Sequence, residues 1–307
     1  MKPDTSYQCE VTKPEDFDEF WDSVISDVAK IDLAPSIQKD DLRTDEDVEV
    51  YQVHYNSIDG VRIFGWYSFP RFRTGKIPAI LLVPGYQSDP PIPKEWARKG
   101  YACLSVNPRG KVGSRTQFDP GYPGLLTYGM IDRNTYSYRG FYVDAWRGID
   151  FLLQRDEVDE GRIGVTGSSQ GGGLTVTTAA MKPEIKAAAA GAPYLCGYMD
   201  AIKLTDTYPY EEINDYLREY PDSREKVALT LSYFDGISFA DRIKCPIIVN
   251  IGLQDNVCPP ETGYALFNAI TSGDKKLYEY DGHGHDAGSY LHNTVIDDFF
   301  AKHLRGV

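Results

Sequence analysis

The stretch Ile163-Gly-Val-Thr-Gly-Ser-Ser-Gln-Gly-Gly-Gly173 decides the fold of this 307-residue chain. Its first half is apolar, which predicts a strand over 162–166, and the small residues that follow lead into a predicted helix over 170–181. Between them, Gly167-Ser-Ser-Gln-Gly171 has the G-x-S-x-G pattern of a nucleophile elbow, a strained turn that exposes its central serine. We therefore predict that Ser169 is a nucleophile. A plain strand-to-helix turn with a serine at its tip is the alternative interpretation.

An acidic partner for this serine is expected downstream, because sheets of this kind place the residues in the order serine, acid, histidine. Cys245-Pro-Ile-Ile-Val-Asn-Ile251 is apolar and β-branched, which predicts a buried strand. The loop that follows contains Asp255. Aspartate is also common in turns, but its position at the carboxyl end of a strand favours a catalytic role. We predict Asp255 as the acid of the triad.

The general base is expected on the loop between the last strand and the last helix. Lys275–Tyr280 is predicted to be that strand and 290–304 that helix. The loop carries two histidines, His283 and His285. The spacing from the strand and the aspartate directly after it favour His285, and His283 remains the alternative.

The three other histidines have weaker claims to a catalytic role. His54 lies in an alternating strand, where a structural or surface position is expected. His292 and His303 belong to the terminal helix, where we expect them on a polar face.

These residue types support acyl transfer, because an imidazole held by a carboxylate can take the proton of a serine hydroxyl. The tetrahedral intermediate then needs two backbone donors. One is the N–H after the nucleophile, that of Gln170. The other is expected on the loop after an earlier strand. Ala79–Val83 is that strand and Pro84-Gly85-Tyr86 its loop, so the N–H of Tyr86 is the predicted second donor.

Strands and helices alternate from Ala79 onward, which predicts an α/β protein with a doubly wound, mostly parallel sheet of the α/β-hydrolase fold. The alternating segments 48–56 and 60–69, joined by Asp59-Gly60, predict an antiparallel N-terminal edge. We expect one domain over 1–307. It carries an N-terminal helical extension over 1–35 and a cap or lid insertion over 194–240.

The N-terminal extension contains a predicted amphipathic helix over 14–31. Its apolar stripe consists of Phe17, Phe20, Trp21, Val24 and Ile25.

The composition limits the kinds of partner that we expect for this protein. The net charge of −13 argues against nucleic acid or an anionic membrane surface. The chain begins without a hydrophobic segment of the secretory type, and its five cysteines are scattered. We therefore expect a cytoplasmic protein with reduced thiols and a small-molecule substrate. The sequence lacks a cysteine and histidine pair at zinc spacing, so neither a metal nor another cofactor is predicted.

Beyond the triad, the chain closely resembles the acetyl xylan esterase and cephalosporin-C deacetylase family of α/β hydrolases over nearly its full length. The matching stretches are Phe17–Trp21, Tyr122–Gly129, Tyr136–Arg147, Gly167–Gly173, Tyr208–Ile213, Leu231–Gly236 and Asp255–Pro260. The resemblance implies deacetylation of short acetylated xylo-oligosaccharides, acetylated sugars and cephalosporin-type esters. It assigns the nucleophile to Ser169, the acid to Asp255 and the oxyanion donors to Tyr86 and Gln170. It also implies a homo-oligomer, a hexamer in the family.

Three positions depart from the family pattern. Pro84 replaces the histidine of a His-Gly-Tyr motif, Lys111 the glutamine of an Arg-Gly-Gln motif and Asp286 the glutamate of a His-Glu pair. We expect Arg109 and Asp286 to form a supporting ion pair beside the catalytic histidine. Lys111 is interpreted as a solvated loop cation rather than a substrate-binding group.

Two alternatives to the deacetylase remain. The same triad is compatible with another acyl group, in a short-chain carboxylesterase or a peptidase-like enzyme, and the fold is compatible with a non-catalytic binding protein. Against the latter, all three triad members are present. The tyrosine-rich insertion, with Tyr194, Tyr198, Tyr208 and Tyr210, is expected to join Tyr86 in enclosing a small acyl pocket. An ordinary core or rim position for these aromatic residues is the alternative.

Overall fold

A computed structural model describes residues 3–306, and these fold around a nine-stranded sheet. Met1, Lys2 and Val307, the ends of the predicted domain span, lie outside the described residues. The strands are β1 (Ser36–Lys39), β2 (Val48–Asn56), β3 (Arg62–Pro70), β4 (Ile77–Leu82), β5 (Ala102–Asn107), β6 (Val158–Ser168), β7 (Ile185–Gly191), β8 (Ile247–Gly252) and β9 (Lys275–Tyr280).

The sheet combines a parallel body with an antiparallel edge. Across the described residues the strand order is β1-β2-β3-β5-β4-β6-β7-β8-β9. The first three strands are antiparallel to their neighbours, whereas β4 to β9 run parallel to one another. The predicted α/β class and sheet type are thus confirmed. Only β1 was missing from the prediction, because all four of its residues are exposed and leave no apolar alternation.

Helices cover both faces of the sheet. They are α1 (Phe17–Ala29), α2 (Lys94–Arg98), α3 (Ser137–Leu153), α4 (Gln170–Met181), α5 (Tyr198–Leu204), α6 (Glu211–Glu219), α7 (Arg224–Ser232), α8 (Gly236–Phe239), α9 (Pro260–Ala269) and α10 (Ser289–Phe300). Along β8, Ile247 and Val249 enter the larger core, while Ile248 packs into a second core with Phe300 of α10. This alternation is what a sheet buried on both faces requires.

None of the helices in residues 3–306 combines the length and the apolar character needed to cross a membrane.

The N-terminal helix belongs to the main core. Trp21 of α1 stacks on Tyr142 of α3, with ring centroids 6.1 Å apart, and its indole N–H donates to the carbonyl of Tyr233. The predicted apolar stripe is buried except at Ile25, which is 40% exposed. One face of α1 is therefore part of the main core.

The segment between β7 and β8 holds the four helices α5 to α8. The buried carboxylate of Asp235, near its end, accepts hydrogen bonds from the N–H groups of Gly197 and Tyr198, near its start. Burial raises the pKa of Asp235 to about 6, while these N–H groups act in the opposite direction. The insertion is thus closed by a contact between its own two ends.

Parallel strands present their carboxyl ends at one edge of the sheet. The loops after β4, β6, β8 and β9 all leave from this edge. They carry Tyr86, Ser169, Asp255 and His285, in that order. The topology therefore brings together residues that lie up to about 200 positions apart in the sequence.

Candidate active site

Ser169 lies alone between β6 and α4, in a backbone conformation with φ 62° and ψ −123°. Such a conformation is strained for a residue with a side chain. The turn is feasible because Gly167 and Gly171 both press against the carbonyl oxygen of Val83, where an added Cβ would come within 2.4 Å of that oxygen. The two glycines thus let the turn close onto β4 and hold the serine side chain out of the sheet.

Asp255 holds the ring of His285. Its Oδ2 lies 2.9 Å from the His285 Nδ1, and its Oδ1 accepts the N–H groups of Val257 and Cys258 at 2.8 and 2.9 Å. The carboxylate side chain is 2% exposed and the imidazole 33%. The carboxylate is therefore fixed by the backbone of its own loop, and it orients a ring that stays accessible from the cavity.

Of the two competing histidines, the structure brings His285 to Asp255. His283 instead places its Nδ1 2.6 Å from Oδ2 of Asp286. That contact lowers the pKa of the Asp286 carboxyl. The loop thus contains two separate histidine–aspartate pairs.

The expected ion pair between Arg109 and Asp286 is wrong. The Arg109 guanidinium is buried against Asp144, with Nε 2.9 Å from Oδ2, and also contacts Asp59. The backbone N–H of Arg109 also donates to the Asp144 carboxylate. The sequence prediction failed because Asp144, on α3, is a nearer acid that completes a forked contact with the arginine. Arg109 therefore anchors its loop to α3.

Asp144→Ala is expected to lower the free energy of unfolding by about 3–5 kcal/mol, because it leaves the buried Arg109 charge without its main partner. Urea unfolding followed by circular dichroism measures this loss. The control is Asp297→Ala, which breaks the exposed pair with Lys99 and should cost about 1 kcal/mol or less. Equal effects of the two substitutions would contradict a structural role for Arg109.

A cavity of about 420 Å³ opens at this edge of the sheet. The Ser169 and His285 side chains both reach it. Its walls consist of Gly85, Tyr86, Gln87, Ser88, Pro123, Tyr208, Pro209, Glu212 and Val257. Within residues 3–306 the serine hydroxyl makes no direct hydrogen bond to His285; such bonds are commonly long before substrate binds.

The two predicted backbone donors belong to Gln170, which directly follows the serine, and to Tyr86, which lines the same cavity. Gln170 is the first residue of α4, so its N–H has no acceptor within the helix. Tyr86 lines the cavity, and among the described residues its N–H has no hydrogen-bond partner. The Gln170 side chain is itself fixed, because its Oε1 accepts the Tyr138 hydroxyl at 2.6 Å.

The Tyr86 side chain is held by Glu212 of the insertion. Its hydroxyl donates to the Glu212 carboxylate at 2.7 Å and accepts the N–H of Leu126 at 3.0 Å. The other Glu212 oxygen accepts the N–H of Gly124. Burial raises the pKa of Glu212, while these donors act in the opposite direction. The carboxylate thus ties the insertion to the loops on both sides of the cavity.

Only two of the five tyrosines that were expected to enclose the acyl pocket line the cavity. Tyr86 and Tyr208 line the cavity, whereas Tyr194, Tyr198 and Tyr210 are fully buried behind it. The buried three pack edge to face, with the Tyr194 and Tyr210 ring centroids 4.4 Å apart. They are core residues, which is the alternative that the sequence left open.

Lys111 is buried, so its interpretation as a solvated loop cation is wrong. It is 1% exposed, and its ammonium group donates to the carbonyl oxygens of Gly85 and Tyr86. No signal in the single sequence indicated this, because a lysine in a glycine-containing loop ordinarily faces water.

The interpretation of His292 is also wrong. It is 2% exposed and shares a hydrogen bond with the Tyr280 hydroxyl through its Nδ1, at 2.8 Å. Burial lowers its pKa to about 4. His303 is half-buried, and His54 packs its ring against Phe64. None of these three histidines lines the cavity that contains Ser169.

One group of described residues could hold a metal ion: Asp255, Cys258 and His285, whose ligand atoms lie within 4.8 Å of one another. The sequence spacing missed it because the cysteine and histidine belong to different loops. Burial raises the pKa of the Cys258 thiol well above its ordinary value, which disfavours the thiolate that binds metals. A metal here would also occupy the His285 imidazole, which lines the cavity with Ser169, and the Asp255 carboxylate that holds this ring.

A family model described as acetyl xylan esterase matches residues 4–303. The chain is also similar to acetyl esterase Axe7A of Xylanibacter ruminicola, with 30% identity over an alignment 282 positions long, which covers 86% of this chain. The chain spans 62% of the length of that relative.

Two solved structures resemble the whole chain. An acetyl xylan esterase from Paenibacillus sp. R4 is 34% identical, with a TM-score of 0.91 and 98% of each chain covered. Acetyl xylan esterase 1 from Thermoanaerobacterium sp. JW/SL YS485 is 29% identical, with a TM-score of 0.87 and 96% of each chain covered. The likeness therefore includes the insertion and the N-terminal helix as well as the sheet.

Proposed function

This chain belongs to the acetyl xylan esterase family, and from that premise we propose that it is a serine carboxylester hydrolase that deacetylates small molecules. Its proposed substrates are acetylated xylo-oligosaccharides, other acetylated sugars and cephalosporin-type acetyl esters. One observation carries the proposal: Ser169 and His285 face a single cavity, with the His285 ring held by Asp255. This is the arrangement that nucleophilic acyl transfer needs.

In the proposed reaction, the Ser169 hydroxyl attacks the acetyl carbonyl carbon while His285 takes its proton. The ester C–O bond then breaks, and His285 returns the proton to the departing alcohol. Water attacks the acetyl-enzyme by the same route and releases acetate. Asp255 keeps the imidazole in one tautomer and balances the charge of the imidazolium.

The negative charge that develops on the acetyl oxygen requires donors that are already in place. We assign this role to the N–H groups of Tyr86 and Gln170. The proposal is supported by the place of Gln170 directly after Ser169, by the presence of Tyr86 in the same cavity wall, and by the absence of another acceptor for the Tyr86 N–H within residues 3–306. No metal or other cofactor takes part in these steps.

Acetyl esters are expected to be the preferred substrates. Tyr86 lines the cavity, and its hydroxyl is held by Glu212, so a longer acyl chain that meets this ring is expected to collide with it. We expect kcat/KM to fall from acetyl to butyryl p-nitrophenyl esters and to be at least about 100-fold lower for octanoyl, a loss of about 2.7 kcal/mol in transition-state stabilisation. A preference for octanoyl would refute the deacetylase and leave the triad untouched.

Three further proposals concern the insertion, the location of the protein and its assembly. From the sequence we propose that residues 194–240 act as a cap over the cavity and that the protein is cytoplasmic, and from the family resemblance that it forms a homo-oligomer. The contribution of Tyr208, Pro209 and Glu212 to the cavity wall supports the first of these. Light scattering after size-exclusion chromatography tests the last, because a monomeric mass would contradict it.

A further inference from the structure

Lys111 lies beneath the loop that carries Tyr86. Its Nζ is 2.8 Å from the carbonyl oxygen of Gly85 and also donates to the carbonyl oxygen of Tyr86. The Gln170 side-chain amide approaches the same Gly85 oxygen at 3.3 Å. Two donors from different parts of the chain thus converge on one carbonyl next to the serine.

The surroundings of this ammonium group are poor in compensating charge. Asp89 is the acidic group that faces it, Arg115 is a nearby cation, and the Tyr122 ring lies beneath it with its centroid 4.8 Å from Nζ. Burial lowers the pKa of Lys111 to about 7. The backbone carbonyls are therefore its principal partners, and the charge is held at a cost that a solvated lysine does not bear.

The Gly85 carbonyl and the Tyr86 N–H belong to the same peptide group. A donor on the carbonyl oxygen polarises that group and strengthens its N–H as a donor, because hydrogen bonds in a chain reinforce one another. The contacts also fix the plane of the peptide, and with it the direction of the N–H. A positive charge on the far side of the peptide adds electrostatic attraction for a developing oxyanion.

We propose that Lys111 is a positioning residue for the oxyanion hole: its ammonium group holds and polarises the Gly85–Tyr86 peptide so that the Tyr86 N–H stabilises the tetrahedral intermediate. This inference rests on the proposed esterase function and on the assignment of Tyr86 as a donor. Lys111, which stands where the family's Arg-Gly-Gln motif has glutamine, thereby has a specific role in this chain.

Two substitutions test the role. Lys111→Met keeps an unbranched side chain that is one atom shorter and removes its donors, and is expected to lower kcat for p-nitrophenyl acetate about 10- to 100-fold with KM changed less than threefold. Lys111→Gln keeps amide donors without a charge and should lose less than Lys111→Met. The effect on kcat follows because the oxyanion exists only in the transition state and the intermediate.

Lys275→Met is the matched control. Lys275 also donates to backbone carbonyls, those of Phe267, Asn268 and Ile270, but at the amino end of β9, opposite the edge that carries His285. Its loss is expected to lower thermal stability and leave kcat within twofold. A similar fall in kcat for Lys275→Met and Lys111→Met would show that loss of any ammonium-to-carbonyl contact acts through general stability, and would overturn the proposal.

The pH profile supplies a second readout. The protonated ammonium predominates below its pKa and the neutral amine above it, so the contribution of the charge is present below about pH 7 and lost as the pH rises. Wild-type kcat is therefore expected to decline above about pH 7. Lys111→Gln has no group to titrate there, so its kcat should stay level. The same alkaline decline in both proteins would overturn the proposal.

Failure of this inference is distinguishable from failure of the esterase function. If Lys111→Met keeps kcat within threefold of wild type while Ser169→Ala is inactive, the lysine role is wrong and the esterase stands. A rise in KM alone would place Lys111 in substrate binding and would also overturn the role. If Lys111→Met does not fold, the kcat and pH profile of Lys111→Gln decide.

Discussion

Ser169→Ala is expected to lower kcat for p-nitrophenyl acetate by about 10⁴-fold or more, because the members of a triad act as a unit. Stability should change by less than about 1 kcal/mol. The hydroxyl faces the cavity rather than the core, and alanine faces the same backbone strain at φ 62°. Hydrolysis rates and a thermal melt of the same preparation measure both expectations.

Ser168→Ala is the matched control, since Ser168 is the adjacent serine of the same turn and is exposed outside the triad. Its kcat is expected to stay within threefold of wild type. Activity of Ser169→Ala within tenfold of wild type would contradict the assignment of the nucleophile. A comparable loss in both variants would show instead that the turn cannot tolerate either substitution.

The sheet was predictable because its signals are local. β8 is a run of apolar residues that is buried on both faces, and the glycines around Ser169 report a turn that only they can form. The order of strands and loops then placed Tyr86, Asp255 and His285 at one edge. Each of these inferences needs a few neighbouring residues and a general rule of topology.

Contacts between side chains that lie far apart in the sequence were not predictable in the same way. Arg109 pairs with Asp144 because α3 lies beside the loop that carries Arg109. Neither of the two local sequences specifies this contact. Lys111 is buried where the loop that carries Tyr86 supplies two carbonyl acceptors for its ammonium group. A charged residue in a loop is ordinarily predicted to face water. This prediction fails where backbone carbonyls accept hydrogen bonds from a buried charge.

The tyrosines of the insertion show a second limit. Periodicity and composition identify aromatic residues that pack, but they do not distinguish a cavity wall from the layer behind it. Tyr208 reaches the cavity and Tyr210, two residues later, is fully buried. Tyr210 directly precedes α6, which begins at Glu211, and the sequence pattern alone does not fix that boundary.

His285→Ala is expected to reduce kcat about as severely as Ser169→Ala, about 10⁴-fold, because the serine then has no base to take its proton. His283→Ala should reduce it less than about tenfold. That ring pairs with Asp286 outside the triad, so its removal acts through loop shape alone. Both variants present the same chemical change in one loop, two residues apart, and each serves as the control for the other.

The contacts of the two rings explain why the two variants should differ. His285 lines the cavity together with Ser169, so its ring is placed to take the serine proton. His283→Ala leaves that base in place, because Asp255 continues to orient the remaining ring. A severe loss in His283→Ala with near-normal activity in His285→Ala would transfer the role of base to His283. It would also require Asp286, rather than Asp255, to serve as the acid, since Asp286 is the carboxylate that His283 contacts.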